Sequence, residues 1–348
     1  MKNILSLFAA AVLMTGALFI SGDTRNVLAQ TGSDLLAQLP ASDAVATVNL
    51  KRLLNEVMPQ LLASQPAKLA ELNAKIDEIK AKTGVDLRLF EQAAVGVTIA
   101  PGAGGKIEAE PILLMRGSFN AAGLIAAGKI AAKGKFRQEQ IGGTAVTIFT
   151  MPENVKQTTK QTGQKDETVD NAMDKTMSGE FAVYSVDANT LGFGKLSKVR
   201  SVLTNKTADN HVSADLTALV NRNSGAVVSF AGNVPRGASA SFGMDNDQIG
   251  RIINSLRQMF GSIDMNNGSA SLLLAARTAE EPQAKELEDS LLGLQMLGKG
   301  FLSGKADEKS QIITRAVENL KITRNLSEVQ LQANIPQADL NALAKGIK

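Results

Sequence analysis

The one histidine of the chain, His211, is the first residue whose chemistry has to be considered. It lies in 206-KTADNHVSADL-216, a polar stretch ahead of a predicted helix. A Ser–His–acid hydrolase would need it as the general base, yet no Gly-x-Ser-x-Gly elbow occurs in the sequence to present a serine nucleophile. A single histidine in a chain without cysteine cannot complete a zinc site. We therefore interpret His211 as a solvent-exposed loop residue.

Two glycine-rich segments invite comparison with phosphate-binding loops. The segment 298-GKGFLSGKA-306 departs from the Gly-x4-Gly-Lys-Ser/Thr pattern, since Lys299 replaces the first glycine and Ala306 replaces the hydroxyl residue. It also ends a predicted helix instead of following a strand. The segment 102-GAGGK-106 lies in a predicted hairpin loop with no helix after it. Both segments are predicted to be structural turns, and no cofactor is predicted.

The carboxylates offer two further arrangements. The segment 187-DAN-189 resembles the start of a calcium loop, but the position of the last ligand holds Lys198, so we predict a hairpin turn instead. The acidic residues Glu280–Glu281, Glu286 and Asp289 fall on the surface of a predicted helix, with no aromatic platform for a sugar. No catalytic residue or metal ligand is predicted. A hydrolase that uses carboxylates, serine and lysine stays open as an alternative.

The composition narrows the class of protein. The chain has 348 residues, no cysteine and a net charge of +3 at pH 7. Without cysteine it forms no disulfides, thiolate metal sites or lipid-modified N-terminal cysteine, so an ordinary hydrophobic core must hold it together. The basic residues are dispersed, and aromatic residues make up only 4% of the chain. This composition argues against nucleic-acid binding and predicts an aliphatic core.

The N-terminus has the layout of a secretory signal. Lys2 precedes an apolar run over 4–20, and 27-VLA-29 ends in a small residue at a predicted cleavage site. We predict that residues 1–29 are a signal peptide and that the chain is secreted or periplasmic after cleavage near Ala29. The apolar run is at the short end for a bilayer span. An uncleaved signal would be the only predicted link to a membrane.

Hydrophobic periodicity divides the rest of the chain into strands and helices. The predicted elements up to residue 221 are a strand at 44–50, helices at 53–62 and 67–82, a hairpin at 94–119, a helix capped by Asn120, hairpins at 136–150 and 180–195, and helices at 196–203 and 214–221. The segment 152–178 is polar and nearly free of large apolar residues, which predicts a disordered insert.

The remaining elements begin with a strand at 225–235. They continue with a helix at 246–260, a hairpin at 262–278, helices at 278–302 and 307–320, a hairpin at 320–336 and a helix at 337–347. Thr278 is predicted to cap the long helix, with Glu281 three residues on and Pro282 in the first turn.

The order strand, helix, hairpin, helix, hairpin occurs twice, from about 43 to 150 and from about 225 to 335. We therefore predict an α+β fold of two similar modules, each an antiparallel or mixed sheet backed by helices. The first module spans 30–222 and includes the polar insert and the hairpin at 180–195 that follows it. The second module spans 223–348.

Three segments carry a resemblance to a known group of proteins. They are 39-LPASDAVATVNLKRLL-54, 83-TGVDLRLFEQAAVGV-97 and 186-VDANTLGFGKLSKVRSVL-203. Together they resemble uncharacterised secreted bacterial proteins with a duplicated α+β module. The resemblance implies a fold and no activity, because it brings no catalytic residues with it.

The helix predicted at 278–302 is apolar around more than half of its circumference. One interpretation is a helix buried between the sheet and a neighbouring helix. The other is a surface for an apolar ligand or a partner. The residues that would form this surface are Leu291, Leu294, Met296, Leu297 and Phe301.

These features predict a secreted or periplasmic, non-catalytic protein that binds a protein partner or a component of the cell envelope. A carrier of a lipid or other apolar ligand is one alternative, and the carboxylate, serine and lysine hydrolase is the other. An apolar cavity beneath the helix at 278–302 would favour the carrier. Carboxylates that converge in a concave pocket would favour the hydrolase.

Overall fold

The computed structural model describes residues 33–101, 107–151, 179–205, 211–239, 248–266, 268–302 and 308–345. The predicted signal peptide at 1–29 and the predicted insert at 152–178 lie outside the described residues.

Twelve antiparallel strands in this part of the chain form one sheet. They are β1 (Ala44–Asn49), β2 (Phe90–Pro101), β3 (Ile107–Gly117), β4 (Phe136–Ile141), β5 (Thr144–Met151), β6 (Gly179–Asp187), β7 (Thr190–Lys195), β8 (Val228–Asn233), β9 (Leu256–Asn266), β10 (Ser269–Thr278), β11 (Lys321–Asn325) and β12 (Glu328–Pro336).

The helices connect these strands and cover the sheet. They are α1 (Ser33–Leu36), α2 (Leu50–Arg52), α3 (Met58–Leu61), α4 (Pro66–Thr83), α5 (Ala121–Ala131), α6 (Leu196–Thr204), α7 (Ala214–Val220), α8 (Gln248–Ser255), α9 (Glu281–Leu302), α10 (Glu308–Glu318) and α11 (Gln337–Lys345). A π-helical segment, Leu53–Val57, joins α2 to α3. The predicted α+β class is confirmed.

The strand order across the sheet is β11-β12-β10-β9-β8-β1-β2-β3-β7-β6-β5-β4. At its centre β1 pairs with β2 on one side and with β8 on the other, from Ala44↔Gly232 to Val48↔Val228. The predicted module boundary at 222 falls in the short 3-10 turn Asn221–Asn223 that leads into β8. Both predicted modules therefore contribute strands to one continuous sheet, while the division into two modules stays a prediction.

Alternating side chains along the strands build a core on each face of the sheet. On one face, Val45, Phe260 and Ala275 pack with Leu35 of α1 and Leu216 of α7. Residues of α4 and α5 pack on the opposite face against a second cluster that is centred on β1 and β2. The helix α9 also covers this opposite face, through the cluster that Ala284 and Leu287 form with Ala276 and Val329.

Local signals in the sequence account for most turns and helix ends. The Asn120 side chain accepts a hydrogen bond from Gly123 N at 2.8 Å, which confirms it as the N-cap of α5. Gly84 ends α4 in the left-handed conformation, with φ 72°. The turn between β6 and β7 closes as predicted, since Asn189 N donates to Asp187 Oδ1 at 2.8 Å.

The helix predicted at 246–260 is wrong in its second half. The helix α8 ends at Ser255, and β9 begins at Leu256. The apolar residues there fit a helical period, but Phe260 pairs with Ala231 on β8 and with Ala275 on β10. Its ring is 1% exposed in the core between these strands. Pairing on both sides and burial of an aromatic ring outweigh the local helical pattern.

The predicted start of the long helix is also corrected. Thr278 does not cap α9, because its hydroxyl donates to the backbone oxygens of Glu280 at 2.7 Å and Ser327 at 3.2 Å. Instead, the Gln283 side chain accepts from the backbone N–H of Glu280 at 3.2 Å. This is the side-chain half of a capping box, shifted by two residues. The Thr278 hydroxyl ties the end of β10 to the turn between β11 and β12.

Candidate functional site

The first half of α9 is an ordinary surface helix. Ala284 and Leu287 face the sheet and are buried, while Lys285 and Asp289 form an exposed ion pair on the outer side. Arg324 of β11 donates to Glu288 at 2.9 Å, which holds this half of the helix against the sheet. Apolar residues point inward and charged residues outward, as a helix on the surface of a soluble core requires.

The second half of α9 reverses this distribution. The position that continues the inner line is Gln295, whose side-chain amide donates to the backbone oxygens of Val317 and Leu320, both at 2.8 Å. These carbonyls belong to the end of α10 and the residues after it, so α10 supports this half of α9 through a polar contact. The apolar side chains lie on the other sides of the helix, in contact with solvent.

Four large apolar side chains are prominent on this outer surface. Leu294 is 61% exposed, Met296 73%, Leu297 60% and Phe301 79%. Leu292 adjoins them at 39%, whereas Leu291 is half-buried against the cluster below. Hereafter, the apolar patch of α9 means Leu292, Leu294, Met296, Leu297 and Phe301.

The exposure of the apolar patch excludes the interpretation of α9 as a helix buried on both sides. The apolar pattern alone did not distinguish burial from exposure, but Gln295 was a usable signal. A polar side chain at the inner position, with leucine and methionine around it, indicates that the apolar side faces outward. The predicted surface included Leu291 and omitted Leu292. The sequence could not tell which of these two leucines is exposed, because that depends on which side of α9 is covered by α10.

A shallow, open depression runs along the first half of α9. It is lined by Pro282, Lys285, Glu286, Asp289 and Ser290. Two carboxylates are therefore near each other, but both project from the outer side of one helix. Asp289 Oδ2 accepts from Lys285 Nζ at 2.7 Å, and its side chain is 59% exposed. Solvated and paired carboxylates of this kind are not arranged for acid–base catalysis, and the polar lining does not suit a lipid.

The carboxylates that are well buried accept hydrogen bonds from arginine. Asp264 is 7% exposed, and its Oδ1 accepts from Arg52 Nη1 at 2.9 Å. Asp339 on α11 is 8% exposed and pairs with Arg315 of α10. Each pair links two elements of the fold, so we interpret these groups as structural contacts.

A polar network surrounds Glu328 at the start of β12. Arg222 Nη1 donates to its Oε1 at 2.7 Å, and Arg277 Nε donates to its Oε2 at 2.9 Å. Both guanidinium groups lie over the Phe260 ring, at 4.6 Å and 5.7 Å from its centre. Burial alone would raise the pKa of Glu328, but the hydrogen bonds from Arg222, Gln330 and Arg277 outweigh it and lower this pKa. The carboxylate and the two arginines satisfy one another.

A buried lysine lies next to a hydroxyl on the face of the sheet that α6 covers. Lys198 of α6 is 9% exposed, and its Nζ donates to Thr98 Oγ1 at 2.5 Å. The Thr98 hydroxyl in turn donates to Ala41 O at 3.4 Å. A lysine that activates a nucleophile would accept the proton of the hydroxyl. Here Thr98 Oγ1 contacts both Lys198 Nζ and Ala41 O, so we interpret the pair as a structural contact between α6 and β2.

The structure also bears on the histidine, on metal binding and on membrane-spanning helices. His211 is exposed, in agreement with its interpretation as a loop residue. In the described residues no group of three His, Asp or Glu side chains is placed to hold a metal ion. No helix among the described residues combines the length and the apolar character needed to cross a membrane.

The comparisons with known proteins give only distant likenesses. No protein-family model and no curated protein matches the sequence. Solved structures of TP0453, a bacterial protein, in crystal forms I and IV are 11% and 12% identical to the chain, with TM-scores of 0.41 and 0.43. The alignments cover 89% and 90% of this chain and 96% and 95% of that protein. A likeness of this size says nothing about function.

Proposed function

We propose that the chain is a secreted or periplasmic, non-catalytic protein that binds a protein partner through the apolar patch of α9. The observation that carries this proposal is the exposure of Leu294, Met296, Leu297 and Phe301, which is 60–79% on consecutive turns of one helix. Soluble proteins seldom leave such a contiguous apolar surface in water unless another surface covers it. Leucine, methionine and phenylalanine also supply the apolar contact area of protein interfaces.

The two alternatives receive less support from the described residues. The carrier needs an enclosed apolar cavity, and the depression along α9 is open and lined mostly by charged and polar residues. The hydrolase needs free catalytic groups in a pocket, and the buried carboxylates Asp264, Asp339 and Glu328 accept from arginines. Binding through an exposed helix needs neither feature.

Site-specific photo-crosslinking in the native envelope tests the proposed function. A photoreactive amino acid at Met296 is expected to capture a protein, whereas the same group at Glu286 serves as a matched control on the polar half of α9. The substitution Leu297→Glu together with Phe301→Glu should abolish the capture at position 296. Equal capture at 286 and 296, or no captured protein at 296, would contradict the proposal.

A further inference from the structure

The outer surface of α9 contains two glycines at the centre of the apolar patch. Gly293 and Gly300 are seven residues apart, and at 100° per residue both lie opposite the inner line of Ala284 and Leu291. A Cβ atom at either glycine would meet nothing within 4 Å. Packing within this chain therefore does not require glycine at these positions. Glycine is also a weaker helix former than alanine, so each of these glycines makes the isolated helix less stable.

We propose that the apolar patch of α9 binds the same patch of a second copy of this chain, in an antiparallel helix pair. This inference rests on the proposed function and names the partner. A two-fold axis between Met296 and Leu297 would place Gly293 opposite Gly300 of the second copy, and Leu292 opposite its Phe301. The missing side chains at both glycines let the two helix backbones approach closely, with large apolar residues on each side.

The charges on α9 favour the antiparallel direction. Its first half carries four acidic residues and one lysine: Glu281, Glu286, Glu288, Asp289 and Lys285. The only charged residue in the second half is Lys299. Arg324 and Lys285 already pair with Glu281, Glu288 and Asp289. A parallel pair would still set the two acidic halves side by side, whereas an antiparallel pair separates them. The helix dipoles also oppose each other favourably in the antiparallel pair.

The size of the surface fits a small dimer interface. Two apolar patches in contact would remove on the order of 1,000 Å² of surface from water, which is close to the lower limit for a specific interface. The same apolar character would also suit a lipid surface. However, a lipid surface would not require Gly293 and Gly300 on the same side of the helix as the large side chains. The acidic first half of α9 also disfavours an anionic membrane.

The absence of cysteine from the chain allows a direct test by disulfide formation. In the antiparallel pair the two copies of residue 296 lie close to the two-fold axis, whereas the two copies of residue 289 are about 22 Å apart. A disulfide requires Cα atoms within about 7 Å. Under mild oxidation, the full chain with Met296→Cys should form a covalent dimer at least about tenfold faster than the full chain with Asp289→Cys.

The mass in solution provides the second measurement. We expect a dimer for the unmodified chain by light scattering after gel filtration, a monomer for Leu297→Glu with Phe301→Glu, and a dimer for the control Glu286→Ala. Circular dichroism checks that each variant keeps its helices. A monomeric unmodified chain, or equal crosslinking at 289 and 296, would overturn the inference.

The failure of this inference can be told apart from the failure of the proposed function. If the unmodified chain is monomeric but the photoreactive group at 296 captures a different protein, the inference fails and the proposed function stands. If no protein is captured and the monomer binds vesicles of phosphatidylethanolamine and phosphatidylglycerol through the apolar patch, both fail.

Discussion

At the scale of single residues, Tyr184 illustrates how packing decides the role of a side chain. It is the only tyrosine of the chain, which also lacks tryptophan. Its ring is 5% exposed in the cluster beneath α6, next to Gly192 of the neighbouring strand. The alternation along β6 points this side chain toward the covered face of the sheet. The partners Leu196 and Val199 come from a helix that follows the next strand, and the alternation alone did not identify them.

The first prediction concerns the ionisation of Tyr184. Burial raises the pKa of its hydroxyl from 10.0 to about 12. Because this pKa is higher in the folded than in the unfolded protein, the stabilisation is complete below pH about 10 and is lost as the pH rises through about 12. Because Tyr184 is the only tyrosine, the near-ultraviolet absorbance of tyrosinate reports on this residue alone. The absorbance should rise near pH 12 in the folded protein and near pH 10 in the protein unfolded by urea. A rise near pH 10 in both conditions would refute the burial of this group.

The second prediction concerns the space above Gly192. A Cβ atom at this position would lie 2.2 Å from Tyr184 Cζ, so Gly192→Ala forces the buried ring to move. We expect a loss of about 1–3 kcal/mol in the free energy of unfolding, measured with urea. Gly225→Ala is the control, since a Cβ there would meet nothing within 4 Å. Similar losses for the two variants would show that the cost does not come from the contact with Tyr184.

At the scale of elements, the starts of α5 and α9 show when local signals suffice to place a helix end and when they do not. Asn120 caps α5 as its position before an alanine-rich run predicted. The cap position of α9 is Glu280, two residues after the predicted Thr278. The Thr278 N–H instead donates to Ser327 O at 2.9 Å, 49 residues further along the chain. A cap is predictable when its hydrogen bonds stay within one turn, and it shifts when pairing with a distant element fixes the residue.

The third prediction concerns the attachment of β12 by Glu328. Replacing the carboxylate in Glu328→Gln removes the charge between Arg222 and Arg277, and we expect a loss of about 1–3 kcal/mol at pH 7. The pKa of Glu328 is lowered below the ordinary 4.5 in the folded protein, so its stabilisation is present above pH 4.5 and disappears as the pH falls through the folded-state value. Urea unfolding at pH 7 and at pH 3 should therefore show a smaller difference between the two proteins at pH 3.

A matched control for this prediction is Glu318→Gln on the exposed surface of α10. Because this side chain is exposed, we expect its replacement to change the free energy of unfolding by less than about 0.5 kcal/mol at either pH. A difference between unmodified protein and Glu328→Gln that does not depend on pH would indicate that the loss comes from the hydrogen bond that the amide nitrogen cannot accept, and not from the charge.

At the scale of the whole molecule, the strand order can be followed outward from the central β1–β8 pair. One side runs β1-β2-β3-β7-β6 and the other runs β8-β9-β10-β12-β11. The hairpin of β6 and β7 is therefore in the same position relative to the centre as the hairpin of β11 and β12 in the other half. The strands β5 and β4 extend the sheet beyond β6. The duplication itself stays a hypothesis, which superposition of 44–204 on 228–345 would test.

The fourth prediction is that the two halves unfold together. The strands β1 and β8 are paired over five residues, and one core cluster contains Val45 and Ile112 from the first predicted module with Phe260 and Ala275 from the second. Separating the halves would expose this cluster and leave β1 and β8 each with one unpaired edge. Hydrogen exchange followed by mass spectrometry should therefore give similar opening free energies for β2 and β9. A difference of several kcal/mol would mean that the modules are independently stable.

The sequence by itself determined the α+β class, most strands and helices, the Asn120 cap and the turn at 187–189. These features depend on side-chain periods and backbone preferences within a few residues, which the sequence contains directly. Only the tertiary structure decided that Leu256–Phe260 is a strand and that β1 and β8 join the two halves. It also decided that the apolar patch of α9 faces solvent. Each of these depends on contacts between distant segments, and a local apolar pattern is the same whether its partner is the sheet, another helix or nothing in this chain.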